Sequence, residues 1–369
     1  MTAALAHRPG RDKLDNLQAL RALAALMVVT DHVPRQEAKL FAHGLLAGVG
    51  AAGALGVDLF FVISGFIMTT TTWDAFAKRG ASRDFLIRRI LRVYPMWIVA
   101  VLFTLLVHRL SPAALHVDDP RLANAIPSLL LLPHGEPPVM FLGWSLEYEM
   151  FFYVVFALAL CSTRARFPLA IAAWIVATLA FQAAGAVSGA WPLEFLGSPL
   201  CFEFLAGVGV AALVRTGRVG GAEAVLAIGV VGLLAVAAYS TRFEGFPGLR
   251  LAWFRTIASG PCMAAIVYGA VALETRGRFI AARPLIRLGD ASYSMYLWHE
   301  YFVGALVVLT ERLHPHGTTA DLAFVVGAYA VTIVGSLVVY RAIERPLLRS
   351  LRRLGPLAPD RTVISGAPG

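Results

Sequence analysis

The stretch LRALAALMVVTDHV, residues 20–33, is apolar for most of its length and still carries ionisable residues near both ends. Arg21 lies near its beginning, and Asp31 and His32 lie near its end. Ionisable side chains inside a membrane span are costly and mark functional sites. The stretch therefore predicts a membrane-spanning helix that contributes to a functional site.

The composition of the whole chain indicates the same class of protein. Of its 369 residues, 58% are hydrophobic and only 15% are charged, whereas soluble domains carry about 25% charged residues. We predict an all-α polytopic membrane protein, since apolar runs of about 20 residues recur along the chain. Ten such spans are placed near 15–33, 53–73, 86–109, 143–162, 167–187, 198–214, 222–240, 254–273, 286–310 and 321–343.

Lysine and arginine are distributed unevenly between the segments that connect these spans. With the N-terminus inside, 24 of the 32 basic residues fall in inner segments and 8 in outer segments. Because cytoplasmic loops are enriched in basic residues, we predict that both termini are cytoplasmic. The net charge of +9 then reflects topology, and nucleic-acid binding is not expected.

One membrane domain is expected to account for most of the chain. It occupies 15–346, between a cytoplasmic segment at 1–14 and a cytoplasmic, disordered tail at 347–369. The three cysteines lie far apart in apolar runs and show neither metal-ligand spacing nor a disulfide pattern. No metal is therefore predicted.

Arg21 and His32 are separated by eleven positions in the first span. At about 100° per residue both fall on one face of the helix, roughly 16 Å apart along its axis. Arg21 is expected near the cytoplasmic end and His32 near the outer end. A structural alternative is an arginine that extends to the interface and a histidine that caps a helix end.

Carboxylates in two other spans are expected near the same outer end. Asp58 lies near the outer end of the second span, where the helix dipole would also favour a carboxylate. Glu147 and Glu149 follow in the fourth span and point about 160° apart. Only one of these two glutamates is expected to face the protein interior.

Three arginines lie at the beginning of the third span. Arg88 and Arg92 share a helix face and Arg89 lies beside them, while Pro95 suggests a break between an interfacial helix and the span. Arginine forks match phosphate oxygens, which favours a phosphate-binding cluster. Anchoring to lipid head groups is the other interpretation.

The ninth span carries Ser292, Tyr296 and His299 at helical spacing, so that they form one polar stripe. A hydrogen-bonded helix interface would account for this stripe, and a contribution to the functional site is the alternative.

Together these features fit one long ligand with a phosphorylated head and a slender reactive arm, which is the shape of an acyl-CoA thioester. Its head would bind at the arginines, and its arm would extend toward His32. His32 would then be the general base that deprotonates an acceptor hydroxyl. A carboxylate, Glu149 or Asp31, could orient its imidazole.

Six segments, in chain order, resemble the acyltransferase 3 family of integral membrane O-acyltransferases. They are Arg21 and His32 with ten residues between them, GVDLFFVISGF at 56–66, Arg89-x-x-Arg92 followed by Pro95, WSLEYEMFFY at 144–153, SYSMYLWH at 292–299 and IERP at 343–346. The residues in these segments are more similar to those of members that modify exopolysaccharide than to those of members that modify peptidoglycan. Asp31 departs from the family, which more often has an aromatic or apolar residue there.

The resemblance implies an O-acetyltransferase that uses acyl-CoA, in the first place acetyl-CoA, and a carbohydrate acceptor. It implies that His32 is the catalytic base, that Arg21 is essential, that Arg89 and Arg92 serve the acyl-CoA site, and that Glu149 is the functional glutamate of its segment. The partners implied are a polysaccharide or lipid-linked sugar, membrane lipid and polysaccharide-assembly proteins.

Two other classes of protein are considered. A secondary transporter could relay protons through His32, Asp58 and Glu149, but transporters often contain internal repeats or matched broken spans, and none is visible in the sequence. A polysaccharide polymerase or ligase would need a large outer loop. The longest predicted one, 110–142, has only 33 residues.

Overall fold

A computed structural model describes residues 14–41, 44–46, 49–110, 124–242 and 249–354, and this part of the chain is helical without a β-strand. The helices are α1 (Asp15–Leu40), α2 (Gly50–Gly53), α3 (Leu55–Thr72), α4 (Ala81–Leu110), α5 (Ala125–Leu129), α6 (Gly143–Leu160), α7 (Phe167–Ser188), α8 (Trp191–Leu196), α9 (Leu200–Arg215), α10 (Ala222–Arg242), α11 (Leu249–Thr275), α12 (Arg283–Asp290), α13 (Ser292–Leu313), α14 (Thr318–Val339) and α15 (Arg345–Leu354). A 3₁₀ turn at Arg164–Arg166 precedes α7, and a π-helix at Tyr340–Glu344 joins α14 to α15.

Eight helical segments of the described chain are long and apolar enough to cross a membrane. They are Leu55–Thr72, Ala81–Leu110, Gly143–Leu160, Arg164–Ser188, Trp191–Arg215, Ala222–Ser240, Trp253–Thr275 and Thr318–Leu351. This confirms the predicted class, an all-helical multi-pass membrane protein. The other two predicted spans, 15–33 and 286–310, correspond to α1 and α13, which are long enough but less apolar because of their ionisable residues. The count of ten and the cytoplasmic termini stay predictions.

α1 and α13 lie inside the helical assembly, which explains how they tolerate polar residues. α1 packs against α3, α12, α13, α11 and α14, and small residues on it, including Ala22, Ala24 and Ala25, are completely buried. α10 is the opposite case, since Ile228, Val231 and other large apolar side chains on it are exposed. Exposed apolar helices of this kind face lipid, whereas an enclosed helix can carry ionisable groups toward a cavity.

Two glycines allow α3 and α9 to approach closely. A Cβ on Gly65 would collide with the Phe204 carbonyl oxygen, and a Cβ on Gly207 would collide with that of Val62. Small residues of this kind permit backbone contact between membrane helices. The close contact fixes the position of Ser64, which precedes Gly65 on α3.

The structure corrects two local predictions. α4 runs unbroken through Pro95, so the predicted break is wrong; the buried Val93, Met96 and Trp97 on either side of the proline pack against the core and keep the helix continuous. Residues 347–354, predicted as the start of the disordered tail, form most of α15. The predicted N-terminal segment, apart from Leu14, and the tail from 355 onward lie outside the described residues.

Candidate active site

His32 on α1 meets two residues of α13, His299 and Glu300. Its Nε2 lies 3.1 Å from Glu300 Oε1, and its Nδ1 lies 3.3 Å from His299 Nε2. His32 keeps 16% of its side chain exposed, whereas His299 is completely buried. The two rings meet edge to face, with their centroids 4.8 Å apart.

The backbone partners of the two histidines assign their protons. His299 Nδ1 lies 2.8 Å from the Tyr296 carbonyl oxygen, so this nitrogen carries the proton and Nε2 is an acceptor. His32 Nδ1 lies 3.0 Å from the Val28 carbonyl oxygen, so it donates there and toward His299. The remaining nitrogen, His32 Nε2, faces the Glu300 carboxylate, which can only accept, so the contact requires a proton on Nε2; without that proton, Nε2 is the basic nitrogen. A proton taken up there is stabilised by the adjacent Glu300 carboxylate.

The carboxylates expected to orient His32 are engaged elsewhere or lie farther away. Glu149 accepts hydrogen bonds from Ser64 Oγ, at 3.1 Å, and from the Tyr153 hydroxyl, and it does not contact His32. Asp31 Oδ2 lies 3.8 Å from His32 Nδ1, but Arg35 holds both Asp31 oxygens, at 2.9 and 2.7 Å.

Sequence reasoning missed Glu300, although a signal was present. Glu300 follows Tyr296 by four positions, which places it on the same helix face as the predicted polar stripe. The predicted stripe ends at His299, one residue before Glu300. His32, His299 and Glu300 offer three ligand atoms within 4.8 Å of one another, which a metal ion could use. Direct hydrogen bonds occupy the same atoms, which favours proton chemistry, and the absence of a metal stays a prediction.

His32 opens into a cavity of about 310 Å³, which we call the outer cavity because the predicted topology places this end of α1 toward the outer side. The cavity is lined by Val28, Asp31, His32, Arg35, Ala54, Val57, Phe141, Leu142, Trp144, Arg255 and Tyr296. Its lining combines aromatic rings with charged groups, which is typical of a site for a polar organic ligand.

Asp58 supports the outer cavity without lining it. It is completely buried, and its Oδ2 accepts hydrogen bonds from Arg255 Nε at 2.8 Å and Ser259 Oγ at 3.0 Å. Arg255 Nη2 lies 2.6 Å from the other oxygen. Asp58 therefore positions Arg255 and does not contact His32.

An inner cavity of about 120 Å³ holds most of the other predicted residues. It is lined by Arg21, Val57, Phe60, Phe61, Ile63, Ser64, Ile67, Arg89, Arg92, Val93, Ser145, Leu146, Glu149, Tyr153, Ser292, Tyr293 and Tyr296. Glu149 thus faces the cavity, while Glu147 is buried outside both cavities and Arg88 lines neither, so the expectation that only one of the two glutamates faces the protein interior is wrong. The Ser292 hydroxyl is buried without a hydrogen-bond partner in the described chain.

The arginines of the inner cavity differ in their partners. Arg92 forms an ion pair with the buried Glu344, which the π-helix carries and which also accepts a 2.5 Å hydrogen bond from Ser294 Oγ. Arg89 lies over the rings of Phe85 and Tyr153, 5.4 and 5.7 Å from their centroids. Neither Arg89 nor Arg21 forms an ion pair within the described residues.

The chain matches the family described as acyltransferase domain over residues 14–341. It is 32% identical over 307 residues to the exopolysaccharide production protein ExoZ of Rhizobium meliloti, covering 80% of this chain and 90% of that protein. It is 26% identical to the acyltransferase MdmB of Streptomyces mycarofaciens, over 94% of each chain. It is 24% identical to the peptidoglycan O-acetyltransferase OatA of Listeria monocytogenes, over 93% of this chain and 57% of that protein. No solved structure matches the chain.

Proposed function

The chain belongs to the acyltransferase family, and on this premise we propose that it is a membrane O-acyltransferase of the bacterial inner membrane. It moves a short acyl group, acetyl, from cytoplasmic acyl-CoA to a hydroxyl of an exported carbohydrate. The acceptor is an exopolysaccharide or its lipid-linked precursor. The names of the relatives support a carbohydrate acceptor, and ExoZ, at 32% identity, favours exopolysaccharide.

One observation carries the proposal: a His–His–Glu cluster and an arginine-lined cavity meet within one helical assembly. His32 opens into the outer cavity, and Arg21, on the same helix, lines the inner cavity. The two cavities share Val57 and Tyr296 as lining residues. A donor bound at the arginines therefore has its reactive end directed toward the base.

In the transfer step, His32 Nε2 accepts the proton of the acceptor hydroxyl as its oxygen attacks the thioester carbonyl carbon. The carbon–sulfur bond then breaks, the ester bond is complete, and the thiolate leaves and takes up the proton from the imidazolium. A positioned base of this kind contributes about 10²–10⁴-fold in rate. Glu300 stabilises the imidazolium, and the hydrogen bonds to Val28 and His299 fix the orientation of the ring.

Arg21 and Arg89 are the best placed residues for the phosphates of the donor. Neither forms an ion pair among the residues described, whereas the charge of Arg92 is matched by Glu344. The inner cavity, at about 120 Å³, is smaller than the roughly 300–1,000 Å³ of a pocket that encloses a whole drug-sized ligand. The thioester end of the donor would therefore enter the cavity, and the nucleotide would remain at its cytoplasmic mouth.

The outer cavity suits a sugar. Trp144 and Phe141 offer apolar faces, and the ion-paired Asp31 and Arg35 offer hydrogen-bonding groups. Because these charges are already matched, a neutral ligand rich in hydroxyl groups is favoured over an ionic one.

The proposal is tested in cells that lack the gene, complemented with the wild-type protein or with His32→Ala at matched membrane levels. We expect the wild-type protein to restore O-acetyl groups on the surface polysaccharide, measured by mass spectrometry, and His32→Ala to restore none. Identical polysaccharide from the deletion and wild-type cells would contradict the proposed acceptor. Purified protein that neither binds nor consumes acetyl-CoA would contradict the donor.

A further inference from the structure

Two residues form the boundary between the inner and outer cavities. Among the residues that the structure describes, only Tyr296 of α13 and Val57 of α3 line both cavities. Tyr296 precedes His299 by three positions and Glu300 by four, so its ring lies one helical turn from the two residues of α13 that contact His32. A group that moves directly from the inner cavity to the outer one therefore passes beside this tyrosine.

The Tyr296 ring is held in place at its hydroxyl end. The hydroxyl donates to the Leu142 carbonyl oxygen at 2.8 Å and lies 2.6 Å from Ser145 Oγ. Leu142 lines the outer cavity and Ser145 the inner one. Phe60 packs edge to face against the ring, with 6.2 Å between centroids. The hydroxyl proton of Tyr296 is engaged in the hydrogen bond to the Leu142 carbonyl oxygen. Tyr296 therefore acts by occupying space and does not donate a hydrogen bond to the reacting oxygen.

We propose that Tyr296, together with Val57, forms a partition through which the acyl group passes, and that the tyrosine ring restricts the enzyme to short acyl groups. This inference rests on the proposed acyl transfer and adds to it a residue that determines donor specificity. The ring fills the space that the additional methylenes of a longer acyl chain would need. One additional methylene in a substrate changes the ratio of kcat/KM values between two substrates by about 10–200-fold.

The test compares acetyl-CoA with hexanoyl-CoA as donors for purified protein, with surface polysaccharide from the deletion cells as acceptor. In Tyr296→Ala the ratio of kcat/KM for hexanoyl-CoA to that for acetyl-CoA should rise by about tenfold or more. Tyr296→Phe keeps the ring and should change the ratio less than about threefold. Tyr293→Ala is the matched control, because Tyr293 lines only the inner cavity. It should lower activity with both donors and leave their ratio unchanged.

Substitutions of Val57 test the partition from the side of α3. Their outcome does not depend on whether the Tyr296 variants fold. Val57→Ala should shift the ratio in the same direction as Tyr296→Ala, but less. Val57→Phe should stop acetyl transfer while acetyl-CoA binding, measured by calorimetry, persists. An unchanged ratio in folded Tyr296→Ala and Val57→Ala would overturn the partition, as would an equal shift in Tyr293→Ala. A wild-type protein that transfers no acyl group would instead overturn the proposed function.

Discussion

The outer and inner cavities differ in how their charges are balanced. In the outer cavity every charged lining residue has a partner: His32 pairs with Glu300, Asp31 with Arg35, and Arg255 with Asp58. The inner cavity is lined by three arginines, Arg21, Arg89 and Arg92, and by one carboxylate, Glu149, with Glu344 paired to Arg92 beside it, so positive side chains predominate in its lining. The balanced site suits proton transfer on a neutral acceptor, and the positive one suits an anionic donor.

The difference also shows what enclosure makes possible. Ion pairs and cationic side chains are costly in hydrocarbon. α1 nevertheless carries an ion pair, Asp31 with Arg35, and a cationic side chain, Arg21, because other helices surround it. The same helix can therefore present Arg21 to one cavity and His32 to the other. If the two cavities have separate roles, a substitution in one of them should leave the function of the other intact. Substitutions that impair donor binding and transfer equally would contradict separate roles.

Removal of the base should have the largest effect. His32→Ala should lower acyl transfer by about 10²–10⁴-fold and leave acetyl-CoA affinity within about twofold, since His32 lines only the outer cavity. Transfer is measured with labelled acetyl-CoA, and affinity by calorimetry. A variant that retains more than about a tenth of wild-type transfer would show that His32 is not the base.

Removal of the unpaired arginines should affect the inner cavity alone. Arg21→Ala and Arg89→Ala should each weaken acetyl-CoA binding by about 10–100-fold, because a hydrogen bond to a charged group is worth about 1.5–3 kcal/mol. Arg89→Lys should restore little, since an ammonium cannot reproduce a guanidinium fork. Arg83→Ala is the control variant. Arg83 is an exposed arginine on α4, the helix that carries Arg89, and it lines neither cavity. Equal affinity in the wild type and both variants would favour lipid anchoring.

Loss of the Glu300 charge should have a smaller effect, confined to the transfer step. Glu300→Gln keeps the shape of the side chain but removes the charge that stabilises the imidazolium, so kcat should fall by about tenfold, equivalent to about 1.4 kcal/mol. Acetyl-CoA affinity should not change. Glu147→Gln, a buried glutamate outside both cavities, is the control. A kcat that is the same in Glu300→Gln and the wild type would remove Glu300 from the site.

The smallest effect expected is on the pH profile. Because imidazolium cannot accept a proton, transfer should decline toward acid pH as His32 becomes protonated. Acetyl-CoA binding, which depends on arginines that stay charged, should be less affected over the same range. Parallel loss of binding and transfer between about pH 5 and 8 would place the titrating group in the inner cavity instead.

The sequence was sufficient for the helices and for the family. Apolar runs predicted the helical membrane class, and the predicted span at 143–162 nearly coincides with α6, Gly143–Leu160. The resemblance to the acyltransferase family is confirmed by the match over residues 14–341. Helical periodicity correctly brought Ser292 and Tyr296 to one face, since both line the inner cavity.

The partners of the charged residues could not be predicted in the same way. His32 meets Glu300, Arg92 meets Glu344, and Asp58 meets Arg255, each pair about 200 or more residues apart in the chain. Periodicity fixes the face of a helix on which a side chain lies, but it does not say which helix packs against that face. For this reason the sequence leaves Glu149 and Asp31 as alternative partners of His32, whereas the hydrogen bonds of Glu149 are to Ser64 and Tyr153.

The central claim is that donor and acceptor meet from opposite sides of the membrane at His32. Proteoliposomes with protein of one orientation, labelled acetyl-CoA on the cytoplasmic side and de-O-acetylated polysaccharide on either side, test this claim directly. We expect labelled polysaccharide only when the acceptor is on the outer side, and none with His32→Ala. Labelled polysaccharide formed on the donor side, or at an equal rate with His32→Ala, would contradict it.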